Sequence, residues 1–548
     1  MWRRDAFYKA ITARLWIILL VVYAFELWLR LMIRHWLFLT GAFDLGLFSQ
    51  SLWTTAHSEG LLFNTPEFIE LGVKSHMEVH FQPILFILVP LYYLYSRPEL
   101  LLTLVPIAMF VAGVIFYLFS RDALEGIEHS VYVILFFILC PFAWITDDFH
   151  PSVLAVPVIF AIVYFAHRIL VMGDSSPSNK LGVILLSILL LSTKEDAGIA
   201  LVSIGVLFIL VRERRSLWSI LRNMASIKGL REFCMAHQLE VTFILVGITS
   251  VIVETFVLVP MFNPTGHYPF LSGDVGKIYL DLDSFYLRAI YIVVWLGYFG
   301  IPLLKNPRFL IPPLIPLAEI IVMGSWSPVV AIGTHYSYIL LPMSLVSSIY
   351  ALRALRSSEN SPLLKTMRFS LGMAMMIFLL VAPPINFSEY IGVWGTSSYT
   401  LSSVWDVWDG YMEILDESLP VFYEADRRCA LVVQGNIFPR LANRNTTYVV
   451  RTVFGNSYLQ NNSIVIVDSL YGRLFNSSMK VINGRLQNGS YSNVQVIDLR
   501  QVVYRCSGQD PAMTPIRPED SVVKCVTETF KHYIHRCESQ LTEVSGNG

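Results

Sequence analysis

Charge is what this sequence has least of. Only 15% of its 548 residues are charged, against about 25% in ordinary soluble domains. It has no Gly-x-Gly-x-x-Gly and no Gly-x-x-x-x-Gly-Lys-Ser/Thr loop, so nothing cradles the phosphates of a soluble nucleotide. Zinc-finger spacing and basic stripes interleaved with aromatics are missing too, which leaves nothing to hold nucleic acid. Cysteine is scarce and unevenly placed: Cys140 and Cys234 stand apart, while Cys429, Cys506, Cys525 and Cys537 share the last part of the chain. The net charge of −1 excludes little, because the charges are segregated along the chain.

What is there is apolar. Hydrophobic residues make up 55% of the chain, and they gather in long runs before residue 384. A membrane span needs about 20 such residues to cross roughly 30 Å of hydrocarbon. Clear runs lie near 15–37, 100–120, 131–146, 152–171, 240–260, 286–304, 308–323, 336–351 and 369–385. The first follows a basic flank (MWRRDAFYKAITARLW) and leads into further spans, so it reads as a retained span and not as a cleaved signal. Two regions are harder. Residues 82–96 are apolar but short, and 181–211 carries Lys194-Glu195-Asp196 in its middle.

Loop charge decides between arrangements, because cytoplasmic loops collect Lys and Arg. If 82–96 lies on the membrane surface and 181–211 divides into two short spans, most flanking basic residues fall on one side, with Arg34, Lys74 and Arg97 as exceptions. A single helix over 181–211 would instead put three charges in mid-membrane, at several kcal/mol each. The expectation is therefore an all-α polytopic bundle of about eleven transmembrane helices. Its N-terminus is cytoplasmic, and an extracytoplasmic C-terminal domain follows. The domains are 1–385, whose first external loop 38–99 contains the surface helix, and 386–548.

That topology collects polar groups on the external face. The first loop supplies Asp44, Lys74, His76, Glu78 and His80; a short turn supplies Asp147, Asp148 and His150; the split span supplies Lys194, Glu195 and Asp196; the last loop supplies His335. Carboxylates and imidazoles at helix ends on one face of a bundle are costly to hold there, which points to function. Asp44, Asp147, Asp148 and Glu195 are candidate catalytic carboxylates. Asp44, Glu78, Asp147 and Asp148 could hold a divalent cation such as Mg or Mn. Lys74, His80, His150, Lys194, Arg288 and His335 could hold substrate or a lipid-linked phosphate. Each also has a structural reading: Asp44 as a helix cap, Asp147 and Asp148 as caps before Pro151, the 194–196 triplet as an internally neutralised turn. Glu26 and Arg30 sit four apart on one helix face and read as a structural pair. Asp281-Leu282-Asp283 matches a metal-binding Asp-x-Asp only weakly.

FDLGLFSQSLW (43–53), HFQPILFILVPLYYLYSRPELLL (80–102), DFHPSVLAVPVI (148–159), KEDAGIAL (194–201) and GTHYSYILLP (333–342) resemble the membrane-protein family called domain of unknown function 2079. That family looks like a branch of the GT-C superfamily, whose members take a sugar from a polyprenyl-phosphate or polyprenyl-diphosphate carrier. The resemblance implies a glycosyltransferase acting on an envelope acceptor at the extracytoplasmic face, with an acidic residue in the first loop where Asp44 stands. Many GT-C enzymes carry an acidic pair there; here no second acid adjoins Asp44. The alternatives are a transporter of a polar or lipid-linked solute, or a non-catalytic envelope protein.

After the last span come β-branched runs at 429–436, 446–453, 463–469 and 493–504, with helical spacing over 406–418, which predicts a small α/β domain with a central sheet. Its four cysteines allow two disulfides in any of three pairings. Acceptor tripeptides at Asn386, Asn445, Asn461, Asn476 and Asn488 also lean outward.

Overall fold

The structure is a computed structural model, and it describes residues 2–124, 130–144, 148–213, 219, 222, 224–263, 282–323, 332, 334–356, 363–381, 408–450, 458–487, 491, 493–511 and 516–546. Asp147, Asp281, Asn386, Asn488 and the expected domain boundary at 385/386 lie outside them.

The apolar runs fold as helices, since only a helix satisfies its own backbone within hydrocarbon. Among the described residues, seven are long and apolar enough to cross a membrane: Arg14–Trp36, Pro98–Leu124, Pro151–Leu170, Gln238–Phe262, Phe285–Lys305, His335–Leu355 and Leu363–Leu380. The chain is a multi-pass membrane protein. The other four segments expected to span are shorter helices, Ser130–Ile138, Pro177–Leu191, Gly198–Arg212 and Ile311–Met323. The charged triplet does break the helix, at residues 192–197 between Pro177–Leu191 and Gly198–Arg212.

Helices Gly198–Arg212 and Gln238–Phe262 cross closely. A side chain at Gly198 would meet the Gly247 carbonyl, and one at Gly205 would meet the Glu240 carbonyl at 2.6 Å. Small residues at the crossing let backbones approach where no hydrophobic driving force operates between helices.

The segment 82–96 holds helix α1, Leu85–Leu94. Ten residues reach only about 15 Å, too short to cross. Leu85, Leu88 and Tyr92 are buried, while Phe86, Ile87, Leu91, Tyr93 and Leu94 are exposed. Tyr92 donates to Asn443 Oδ1 at 3.0 Å, tying this helix to the terminal domain. Glu26 and Arg30 pair at 3.9 Å.

The terminal domain is built on four parallel strands, β1 (Ala430–Val433), β2 (Thr447–Val449), β3 (Ser463–Val467) and β4 (Gln495–Asp498), in the order β2-β1-β3-β4. The expected strand 493–504 is shorter. Residues Leu499–Ser507 are helical, because Leu499, Val502 and Val503 bury at helical spacing. Disulfides join Cys429 to Cys537 and Cys506 to Cys525, while Cys140 and Cys234 are free. The domain core includes Leu37, Phe38 and Ala42 from the end of the first span and the turn after it.

Candidate active site

Asp44 lies in a tight turn, Ala42–Gly46, between the first span and helix α2 (Leu47–Ala56). Its backbone has φ +64° and ψ −97°, a region that L-residues enter only under constraint. Three contacts hold it there. Gly46 N–H donates to Gly41 O at 3.2 Å, Leu47 N–H donates to Asp44 O, and Asp148 Oδ2 accepts from Gly41 N–H at 2.6 Å. Phe438 of the terminal domain presses on Gly46, where an added Cβ would lie 2.6 Å from its ring.

Two imidazoles meet this carboxylate. His150 and His335 precede the spans Pro151–Leu170 and His335–Leu355 or open them, and their rings stack at 3.8 Å with 1° between planes. The ligand atoms of Asp44, His150 and His335 all lie within 4.8 Å of one another, forming the single three-residue metal-competent group among the described residues. His150 Nδ1 accepts from Ser152 N–H at 3.2 Å, which leaves Nε2 for a ligand. Burial, then the positive neighbours His335 and Lys194, hold the His150 imidazole well below its ordinary pKa, so it is neutral. Helix N-termini at both histidines add positive potential, which favours an anion.

The split-span turn closes the other side. Lys194 pairs with Asp196 Oδ2 at 3.3 Å and sits 5.7 Å from the Tyr336 ring; that ring in turn lies 4.1 Å from His335. Burial opposes the Lys194 charge, but Asp196 and Glu195 outweigh it and raise the ammonium above its ordinary value. Tyr338 donates to Asp196 Oδ1. Glu195 Oε1 meets His80 Nδ1 at 2.8 Å.

The FDLG turn, the turn ending at His150, the 194–196 turn and the loop at His335 therefore converge. Other expected members stand elsewhere. The Glu78 carboxylate does not join the group expected around Asp44; it accepts from Lys74 N–H at 3.1 Å, and burial pushes its pKa up. The Lys74 side chain is exposed. Asp148 supports the turn through Gly41. Arg288 is buried on the span whose Tyr291 bonds Ser337 Oγ at 2.8 Å.

Sequence reasoning missed Glu67. Asn64 caps helix α3 (Thr65–Leu71), accepting from Glu67 N–H at 2.9 Å. The Glu67 carboxylate then takes His76 Nδ1 at 2.8 Å, while His76 Nε2 meets Gln82 Oε1 at 2.9 Å. With both ring nitrogens facing acceptors, His76 is an imidazolium. Although burial opposes both charges, each partner favours the other's charged form, so the His76 pKa is raised and that of Glu67 lowered. Phe48 contacts the rings of both His76 and His150 at 5.2 Å. The Asn-x-x-Glu spacing of a capping box was the available signal.

A cleft of about 530 Å³ opens between Trp53 and Tyr423, Asp426, Arg427 and Arg444. Three of its charges are engaged: Arg427 with Glu59, Asp426 with Arg428, and Arg444 with four backbone carbonyls.

Among curated proteins none matches the chain significantly. Among solved structures, ArnT from Cupriavidus metallidurans bound to undecaprenyl phosphate is 14% identical, covering 94% of this chain and 85% of that one at a TM-score of 0.36. The apo form is 12% identical, covering 90% and 91% at 0.42. Likeness at these scores implies nothing about the site. The sequence profile described as "Predicted membrane protein (DUF2079)" matches residues 34–491, and the chain belongs to that family.

Proposed function

We propose that this protein is a glycosyltransferase that moves a sugar from a polyprenyl-phosphate carrier to an acceptor on the extracytoplasmic face. The observation that carries the reading is the convergence of a strained carboxylate, two stacked imidazoles and a half-buried ammonium from four separate loops. Strain in such a turn persists only where the surrounding structure enforces it. Asp44 is the base toward the acceptor hydroxyl, Lys194 and His150 hold the donor phosphate, Glu195 and His80 position Lys194, and Asp148 fixes the Asp44 turn. As the alternative to those base and phosphate roles, a divalent cation would be held by Asp44, His150 and His335 with the His150 proton on Nδ1, toward Ser152 Oγ, so that Nε2 offers its lone pair; this donor set suits manganese or zinc better than magnesium. When bound, it would supply charge neutralisation at a phosphate oxygen. The basic cytoplasmic flanks support an inside N-terminus and an outside terminal domain.

The test is Asp44→Asn, read by mass spectrometry of lipid-linked sugars and envelope glycans in cells with and without the gene. Asparagine tolerates positive φ and caps as well as aspartate, so the fold is retained. Turnover should fall by roughly 10²-fold or more if the carboxylate is the base. Unchanged glycan pools in both the deletion and the variant would sink the reading.

A further inference from the structure

The terminal sheet has a feature that the site above does not use. With strand order β2-β1-β3-β4 and all pairings parallel, successive connections leave β1 in opposite directions. The switch point lies between β1 and β3. Open parallel sheets bind ligands in the crevice outside the carboxyl ends of such strands.

The residues that follow these two strands are polar, buried or half-buried, and incompletely bonded. Gln434 is fully buried; its Oε1 accepts from Asp468 N–H at 3.2 Å, bridging the two strand ends, yet its Nε2 has no partner among the described residues. Asn436 is 5% exposed, and neither side-chain polar atom has a partner among the described residues. Ser469 Oγ is likewise unpartnered, although its backbone N–H is held by Asp498 Oδ1 at 3.0 Å. A buried amide without partners costs stability, so three such groups at one switch point call for a ligand. The same strand ends pack on the turn that bears Asp44: Phe438 lies against Gly46, and Tyr471 donates to Leu37 O.

We propose that Gln434, Asn436 and Ser469 form a binding site for the hydroxyls of an uncharged sugar, at the β1/β3 switch of the terminal domain. Amides and a hydroxyl offer paired donors and acceptors that match vicinal diols. A phosphate is disfavoured, because the ionisable neighbour is the carboxyl Asp468 and the nearby Arg500 is held bidentately by Asp510 at 2.7 and 2.9 Å. The inference rests on the proposed transferase reading, to which it adds the part of the acceptor that the terminal domain reads.

The test uses the full-length protein in lipid nanodiscs against immobilised uncharged oligosaccharides, with phosphorylated and carboxylated counterparts. An uncharged oligosaccharide should bind. Asn436→Leu should weaken that binding by roughly tenfold or more while leaving the thermal midpoint unchanged or raised, because an amide without a partner is removed. Gln434→Met should act in the same direction. Binding and turnover fail separately: saccharide binding without any transferase activity would overturn the proposed reaction and leave this site standing. No saccharide bound, charged saccharides alone bound, or undiminished binding by Asn436→Leu would overturn the site.

Discussion

Gln50 and Asn436 are both buried amides, and the fold treats them differently. Gln50 is fully buried in helix α2, and both ends of its amide are bonded: Nε2 donates to Arg444 O at 2.6 Å and Thr447 O at 3.2 Å, while Oε1 accepts from Thr65 N–H at 2.7 Å. It stitches the loop after the first span to the terminal domain. The Asn436 side chain has no partner among the described residues. A satisfied buried amide specifies structure, whereas an unsatisfied one costs stability in the absence of a ligand. The contrast separates residues that hold the two domains together from residues that await a substrate.

The largest effect expected from this comparison is at Gln50. Replacing it by leucine strands the Thr65 N–H, at about 1–3 kcal/mol, and removes one donor from each of two carbonyls that keep another, Thr447 N–H on Arg444 O at 3.4 Å and Thr65 Oγ1 on Thr447 O, at about 1 kcal/mol each. Gln50→Leu should therefore cost on the order of 4 kcal/mol and release the terminal domain to proteolysis at lower temperature. A variant that melts with the wild type would remove the distinction drawn here. Asn436→Leu is the opposite control.

The next effect is pH-dependent and belongs to Asp468, which is fully sequestered at the end of β3. Burial, with Asp498 adding to it, pushes its carboxyl from 3.8 up to about 7, against the opposing bond from Leu470 N–H. Below pH 3.8 both folded and unfolded chains hold this proton. Between that value and about 7 the unfolded chain releases it first, so stability is lost as pH rises through the folded value. At about 1.4 kcal/mol per pH unit, the loss is on the order of 4 kcal/mol. Asp468→Asn should abolish this slope, as read from denaturation midpoints between pH 4 and 8. Parallel wild-type and variant profiles would show that Asp468 ionises freely and that the strand ends are wet.

Much of the architecture was legible in local pattern. Apolar length gave the spans, and the charge of Lys194-Glu195-Asp196 gave the break at 192–197, because no single helix carries those groups through lipid. The parallel strands were legible as β-branched runs, but 499–504 was misread because Leu499, Val502 and Val503 fit either period in so short a window. The site was half legible. Asp44, His150 and His335 were each named, yet their grouping depends on which helix ends are neighbours, and no local pattern encodes that. Glu78 stands between His76 and His80 in sequence and turns instead to Lys74 N–H. Gln50 and Asn436 look like any polar residues, since their partners, or lack of them, lie hundreds of positions away.

The smallest expected effect is the one that asks whether Asp44 sides with Gln50 or with Asn436. At φ +64° and ψ −97°, a residue with a Cβ stores about 1–3 kcal/mol of strain. Glycine relieves that strain but loses roughly 0.5–1 kcal/mol more than alanine through the freedom of its unfolded chain. If the Asp44 side chain contributes nothing to folding, Asp44→Gly should be about 1 kcal/mol more stable than the wild type, and inactive. Asp44→Ala keeps the Cβ and the strain and should gain nothing. This order, glycine above aspartate with alanine at or below it, is the signature of a position held in an unfavourable conformation for chemistry. If the carboxylate is instead a structural group like the Gln50 amide, both variants should melt below the wild type, with glycine lowest. Thermal midpoints of the three proteins in nanodiscs decide between these orders without any assay of the reaction.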